Sequence, residues 1–261
     1  MKAIVIRNYG GPEVLSYEDA ADPLPGAGEI LIEQMIMGVN FADVMMREGK
    51  YFIKPELPAV PGLEGAGTVI AIGEGVEDIS VGSRVAYVMS LGGYAEKNVI
   101  PAANAVPLPE TISDEVAGSS LLRGMTAHYL VTSTYGVSKT DIVLVQSAAG
   151  GVGTLLVQWA KHLGAKVIGT VSSSEKADLA RRLGCDHVVN YTTENFAKEV
   201  LEITEGKGVS VVYDAVGQAT FNGNIEALGV RGYFVNYGAA SGPLPPIDAG
   251  QINSKSLFFN K

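Results

Sequence analysis

Cysteine is almost missing from this 261-residue chain; Cys185 stands alone. One thiol can form neither an intrachain disulfide nor a thiolate-rich zinc site, and it suits a reducing compartment. Histidine is scarce as well. The three copies are His128, His162 and His187, so the chain before His128 has neither residue type that usually holds zinc. These histidines are far apart and read as ordinary helix or loop residues. No run of about 18 apolar residues occurs, which argues against a spanning helix. The start, Met1-Lys2-Ala3-Ile4, enters a strand-like pattern directly and shows no secretory signal. A cytoplasmic protein is the expectation. Basic residues are outnumbered, with 19 Lys and Arg against 28 Asp and Glu and a net charge of −9. That balance disfavours nucleic acid or an anionic membrane as a partner. There is also no nucleophile elbow and no Cys–His pair.

What is present is a globular composition, 47% apolar and 18% charged, long enough for two ordinary domains. The chain is organised around Asp141–Val171, DIVLVQSAAGGVGTLLVQWAKHLGAKVIGTV. An apolar run rich in Val and Ile, Asp141–Ser147, predicts a buried strand. Ala148-Ala149-Gly150-Gly151-Val152-Gly153 follows as A-x-G-x-x-G, one residue from the dinucleotide fingerprint. Val152, Leu155, Leu156, Trp159, Ala160 and Leu163 then recur at helical spacing. Lys161 and His162 suit the end of that helix, Gly164 its left-handed stop, and Lys166–Val171 the next parallel strand. Glycines in such a turn let a pyrophosphate reach the free N–H groups of a helix N-terminus. A purely structural turn would also use them.

The first hundred-odd residues read as β-rich. Lys2–Ile6, Glu29–Met37, Gly67–Ile72 and Arg84–Val88 are short apolar or alternating runs separated by Gly and Pro clusters, the pattern of a small barrel or sandwich. A helix begins near Ser113 and continues through Leu121 to Val131, which puts the domain boundary near residue 120: 1–120, then 121–261. Beyond Val171, strand and helix alternate. Ser172-Ser173-Ser174-Glu175 has capping-box spacing for a helix reaching Gly184. His187–Tyr191 is a third strand, and Phe196, Val200 and Ile203 mark a third helix. Val209–Ala215 is a fourth strand, Phe221, Ile225 and Leu228 a fourth helix closed by Gly229, Gly232–Tyr237 a fifth strand, and Ser256–Asn260 the start of a sixth. The whole is α/β, with a doubly wound parallel sheet in its second part. Ser256–Lys261 is apolar with no turn after it, the expectation for a chain that stops early.

Two further readings concern chemistry. NAD-selective folds carry an acidic residue roughly 20 positions past the glycines, at the ribose. Here that region holds Ser172, Ser173, Ser174 and Lys176, which suit a 2′-phosphate and favour NADPH. Glu175 could still reach a ribose, and the serines also serve as a helix cap. Elsewhere, Asn40, Asp43 and Tyr51 are candidates for the chemistry: Asn40 and Tyr51 could donate to a substrate carbonyl, a structural role is the alternative for Asp43, and turns use the same residue types.

Taken together, the motifs MKAIVIRNYGGPEVL, GVNFADVMMREGKY, LPAVPGLEGAGTV, GMTAHYL, AAGGVG, VSSSEKADLARRLGCDHVVNY, VVYDAVG and NYGAASG resemble the zinc-free, ζ-crystallin-like quinone oxidoreductases of the medium-chain dehydrogenase/reductase superfamily. The resemblance runs along essentially the whole chain. It implies a GroES-like domain followed by a Rossmann domain, with NADPH as cofactor and a small quinone or enone as substrate. It places Asn40, Tyr51 and Thr126 near the nicotinamide and substrate, and Gly150, Gly151 and Val152 at the pyrophosphate. Ser172, Lys176 and Tyr191 fall at the 2′-phosphate, and Gly238 with Phe258 to Asn260 on the nicotinamide side. Where zinc-dependent relatives carry a metal-binding Cys and His, this sequence has Asn40 and Leu63. Relatives continue for some tens of residues past Lys261, and the full-length form is expected to be a homodimer. The expected reaction is transfer of a hydride or electrons from NADPH to a quinone. An enoyl or alkenal reductase and a non-catalytic NADPH-binding protein are the alternatives.

Overall fold

In Glu29–Met37 (β3), Ile30, Ile32 and Gln34 are buried at every second position while Glu33 and Met35 face out, the two-residue period of a half-buried strand, interrupted by buried Leu31 at a bulge. A computed structural model describes all of Met1–Lys261 and divides it into two compact units, Met1–Leu122 and Arg123–Lys261.

In the first unit, Lys2–Val5 (β1) and Ser16–Asp19 (β2) form an antiparallel ribbon. Around β3 lie Glu64–Ile72 (β4), Arg84–Val88 (β5), Lys97–Pro101 (β6) and Ala105–Pro107 (β7), in the order β6-β3-β4-β5-β7. All neighbouring pairs are antiparallel. Register shifts between β3 and β4 at Leu31/Ile32 and Gln34/Ile36 are bulges of the kind that curl a sheet. The sheet closes over Ile30, Ile32, Val69, Val85, Tyr87 and Ile100. β2, β6, β7 and the short helix Phe41–Arg47 (α1) were not expected from the sequence. β2 is mostly exposed and α1 spans two turns, so neither leaves a readable hydrophobic period.

Helix α2, Asp114–Tyr129, contains the division between the units and runs on as a π-turn through Leu130–Thr134. The second unit holds a six-stranded parallel sheet. Its strands are Ile142–Val145 (β8), Lys166–Val171 (β9), His187–Asn190 (β10), Val209–Asp214 (β11), Leu228–Asn236 (β12) and Phe258–Asn260 (β13). The spatial order β10-β9-β8-β11-β12-β13 is 3-2-1-4-5-6 in local numbering, the doubly wound order that leaves a crevice between the first and fourth strands. Its helices are Gly151–His162 (α3), Ser174–Leu183 (α4), Phe196–Ile203 (α5), Phe221–Ala227 (α6) and the short Ala249–Asn253 (α7). Alternate strand residues serve the two faces. Val143, Val145, Val211 and Tyr213 pack with Leu156, Val157 and Ala160 of α3 and Ala177 and Ala180 of α4. Leu144, Val212 and Phe234 pack with Val200 of α5 and Phe221 of α6. Fully burying Leu156 and Val157 contributes about 1.5–3 kcal/mol each.

Three local expectations need correction. Leu228 and Gly229 do not end a helix: Leu228 is extended, buried and opposite Val209. Gly229 is small because a side chain there would meet the Lys207 carbonyl at 2.7 Å. The helix cap is Ser173, not Ser172. Three serines in a row offer the same spacing, and the extended backbone of Ser173 turns its Oγ onto the Lys176 N–H. The last strand begins at Phe258, since Ser256 sits in the left-handed region at φ 51°.

Candidate functional site

The turn after β8 gathers several sequence-predicted residues. Ser147 adopts φ 56° and its carbonyl accepts the Gly150 N–H at 2.8 Å. Gly150 is the extended N-cap of α3 and supplies no side-chain cap, so the first N–H groups of the helix, at Gly151 and Val152, have no side-chain acceptor. A side chain at Gly153 would run into the Ser147 carbonyl, which makes that glycine a matter of helix–strand packing. Beneath the turn, Thr170 Oγ1 donates to Gln146 Oε1 at 2.5 Å and accepts the Ser147 N–H at 3.3 Å. Gln146 Nε2 in turn donates to Asn224 Oδ1 at 2.7 Å, completing a buried polar support.

Beside the turn lies a pocket of about 60 Å³ lined by Ser147, Ala149, Gly150, Val171, Ser172, Lys176 and Tyr191. Of the residues named for the pyrophosphate, Gly150 lines this space, while Gly151 and Val152 do not; all three named for the 2′-phosphate, Ser172, Lys176 and Tyr191, line it. Lys176 Nζ donates to Ser172 Oγ at 3.2 Å on the exposed rim, and Tyr191 is 46% exposed. Because Ser173 takes the capping role, the Ser172 hydroxyl is left to face the pocket. A larger, more open groove of about 550 Å³ along Thr192–Ala197, Asn222, Gly223 and Glu226 shares only Tyr191 with it.

Gly238 follows β12 and packs on Ala215, where a Cβ would come within 2.7 Å of the carbonyl. Buried Asp214 organises that corner. It accepts from Val216 and Gly217 N–H, Thr220 Oγ1 and Asn236 Nδ2. Burial raises its pKa while these donors oppose the rise. Asp214 was missed from sequence; the only signal was an acid at the end of a buried strand. Thr126 is half-buried on α2. Phe258 and Asn260 lie on the edge strand β13. Phe258 stacks on Tyr233 with centroids 4.5 Å apart, and neither residue lines the phosphate pocket.

In the first unit, Asn40 caps α1. Its N–H donates to Asp43 Oδ2 at 2.9 Å and its Nδ2 to Glu64 Oε2 at 2.8 Å. Glu64 is fully buried and also accepts the Leu122 N–H at 2.7 Å. Asp43 takes a further bond from Tyr94 Oη at 2.7 Å. Burial raises the Asp43 pKa; the Asn40 and Tyr94 hydrogen bonds oppose this, and the Glu64 charge adds to it. Tyr51 follows α1, with its ring tilted against Phe52 at 4.3 Å. After α1 the chain folds back, and the Tyr51 N–H donates to the Met45 carbonyl at 3.1 Å. Glu64 had no sequence signal of its own, because its partner lies 24 residues away. Leu63 is fully buried. No group of three or more His, Cys, Asp or Glu side chains is placed to hold a metal ion.

Comparison with known proteins bears on both units. Residues 26–110 match the alcohol dehydrogenase GroES-like domain and residues 151–260 the family described as zinc-binding dehydrogenase. A quinone oxidoreductase from Pseudomonas aeruginosa is 42% identical over 259 residues, which is 99% of this chain and 79% of that protein. A 2-haloacrylate reductase from a Burkholderia species is 44% identical, covering 94% of this chain and 75% of that one. The crystal structure of Escherichia coli quinone oxidoreductase complexed with NADPH superposes with a TM-score of 0.95 at 40% identity, covering 99% of this chain and 80% of that one. The chain belongs to the quinone oxidoreductase family of the medium-chain dehydrogenase/reductase superfamily, with a GroES-like and a Rossmann domain.

Proposed function

We propose that this protein is an NADPH-dependent quinone oxidoreductase that works without a metal. The observation that carries the reading is the pocket shared by the glycine turn, Ser172, Lys176 and Tyr191. It sets an uncapped helix N-terminus next to a lysine and two hydroxyls, a donor set for phosphate and not for a bare ribose. Family membership points to the same cofactor, since the Escherichia coli relative was solved with NADPH. The residues present thus fit the cofactor.

Bound NADPH supplies the hydride, and the protein supplies binding and orientation. Gly150, Gly151 and Val152 receive the pyrophosphate, and Ser172, Lys176 and Tyr191 the 2′-phosphate. We assign Thr126, Gly238, Phe258 and Asn260 to the nicotinamide side. Asn40 and Tyr51 orient the acceptor oxygen. Glu64 holds one Nδ2 hydrogen of Asn40, which fixes the plane of the carboxamide and leaves the other hydrogen to donate. Where a zinc ligand would be needed, the first unit offers Asn40 and Leu63 and no Cys or His, a donor set that does not suit zinc. The domain boundary near residue 120, a cytosolic location and a homodimeric state complete the proposal. No helix is long and apolar enough to cross a membrane.

A second reading, reduction of an activated alkene, is favoured by the likeness to 2-haloacrylate reductase. Steady-state NADPH oxidation against naphthoquinones, enones and enoyl thioesters separates the two. The proposal expects the highest kcat/KM with a quinone. Turnover confined to enones moves the assignment to alkene reduction, and no turnover with any acceptor removes the enzymatic reading.

A further inference from the structure

One cation near the glycine turn has no partner within the protein. Arg123 lies on α2, in the part that belongs to the second unit. Its Nε is buried without a hydrogen-bond partner. The arginines that do form ion pairs are Arg7, Arg47, Arg84 and Arg181. A buried guanidinium nitrogen with nothing to donate to is costly unless a ligand supplies the acceptor. The side chain lies against the start of α3. A Cβ at Gly151 would lie 2.8 Å from Arg123 Cδ and 3.5 Å from both Nε and Nη1. Gly151 is the first residue of α3, directly after the uncapped Gly150. The missing side chain at Gly151 therefore admits Arg123 over the first turn of this helix.

We infer that Arg123 is a binding residue for the diphosphate bridge of the dinucleotide, working with the N–H groups that open α3. The inference rests on the NADPH reading above. A guanidinium offers a planar fork matched to phosphate oxygens, and the helix N-terminus favours the same charge. This role differs from that of Lys176, which lines the pocket with Ser172 and Tyr191. The diphosphate is common to NADPH and NADH, so Arg123 contributes affinity without selecting between them.

Calorimetric titration of the protein with NADPH, NADH and 2′-AMP tests this, because 2′-AMP carries the ribose phosphate and no diphosphate. Arg123→Met keeps the apolar stem and removes the charge. It is expected to weaken NADPH and NADH alike, by about tenfold, and to leave 2′-AMP unchanged. Arg123→Gln, which keeps a polar head and removes the charge, is expected to give the same pattern and carries the test should Arg123→Met not fold. Undiminished binding of both dinucleotides by the variants overturns the assignment, as does a loss confined to NADPH or one extending to 2′-AMP. If the unmodified protein binds neither dinucleotide, the NADPH reading falls and this inference falls with it. Intact binding by the unmodified protein with no change in the variants removes Arg123 alone.

Discussion

Ala148 stands where the dinucleotide fingerprint has its first glycine, and its surroundings show how the departure is accommodated. It is fully buried, and the neighbouring strand residue is Gly169. A Cβ at Gly169 would lie 2.7 Å from Ala148 Cβ and 2.7 Å from Cys185 Sγ. The tight turn itself is made one residue earlier, by Ser147 in the left-handed region. The glycine missing from the turn has in effect been moved across to β9. Gly169→Ala should therefore destabilise the protein by about 1–3 kcal/mol through overpacking. Adding Ala148→Gly should recover part of that loss, an interaction of about 0.5 kcal/mol or more, while the Cys185 contact keeps the recovery incomplete. Chemical denaturation of the two single variants and the double measures this. Strict additivity would show that the two sites do not share the space.

Among the elements, α3 was the most legible. Its apolar spacing reported the face that buries Leu156 and Ala160, and Gly164 stops it at φ 89° as its position suggested. The tie that fixes its far end was not legible. Lys161 Nζ donates to both carboxylate oxygens of Asp186 at 2.9 Å, and Asp186 also accepts the Val167 N–H at 2.7 Å. One carboxylate thus joins the end of α3, the start of β9 and the approach to β10. Burial pushes the Asp186 pKa up, but the Lys161 and Val167 bonds outweigh it and hold the group below its ordinary value of 3.8. A depressed folded-state pKa contributes stability above the unfolded value and loses it as pH falls through the folded one. Asp186→Asn should cost about 1 kcal/mol, discounted for a pair that is one-third exposed. That deficit should stay constant from pH 8 to pH 5 and close only below about pH 3.8. Urea titrations across the range check it, and a deficit that fades between pH 8 and pH 5 would contradict the assignment. The start of β12 escaped the sequence because local pattern carries no record of the pairing partner. Leu228 continues the apolar spacing of α6, yet pairing opposite Val209 draws it into the sheet.

At the scale of the molecule, the turns proposed to hold phosphate were readable as turns, and the hydrogen bonds around Asn40 were not. Strand ends followed by glycines and serines place ligand-binding groups by chain direction alone, because a parallel sheet puts all such turns at one edge. The Asn40–Glu64 and Asp43–Tyr94 bonds depend on contacts across 24 and 51 residues and leave no local pattern. The central claim is that the chain binds NADPH and tells it from NADH through the 2′-phosphate. Equilibrium titration of the unmodified protein and of Lys176→Ala with both dinucleotides tests it most directly. The account predicts tighter binding of NADPH by the unmodified protein, with Lys176→Ala weakening NADPH about tenfold and NADH little. Equal affinity for the two cofactors, or equal losses in the variant, would contradict it.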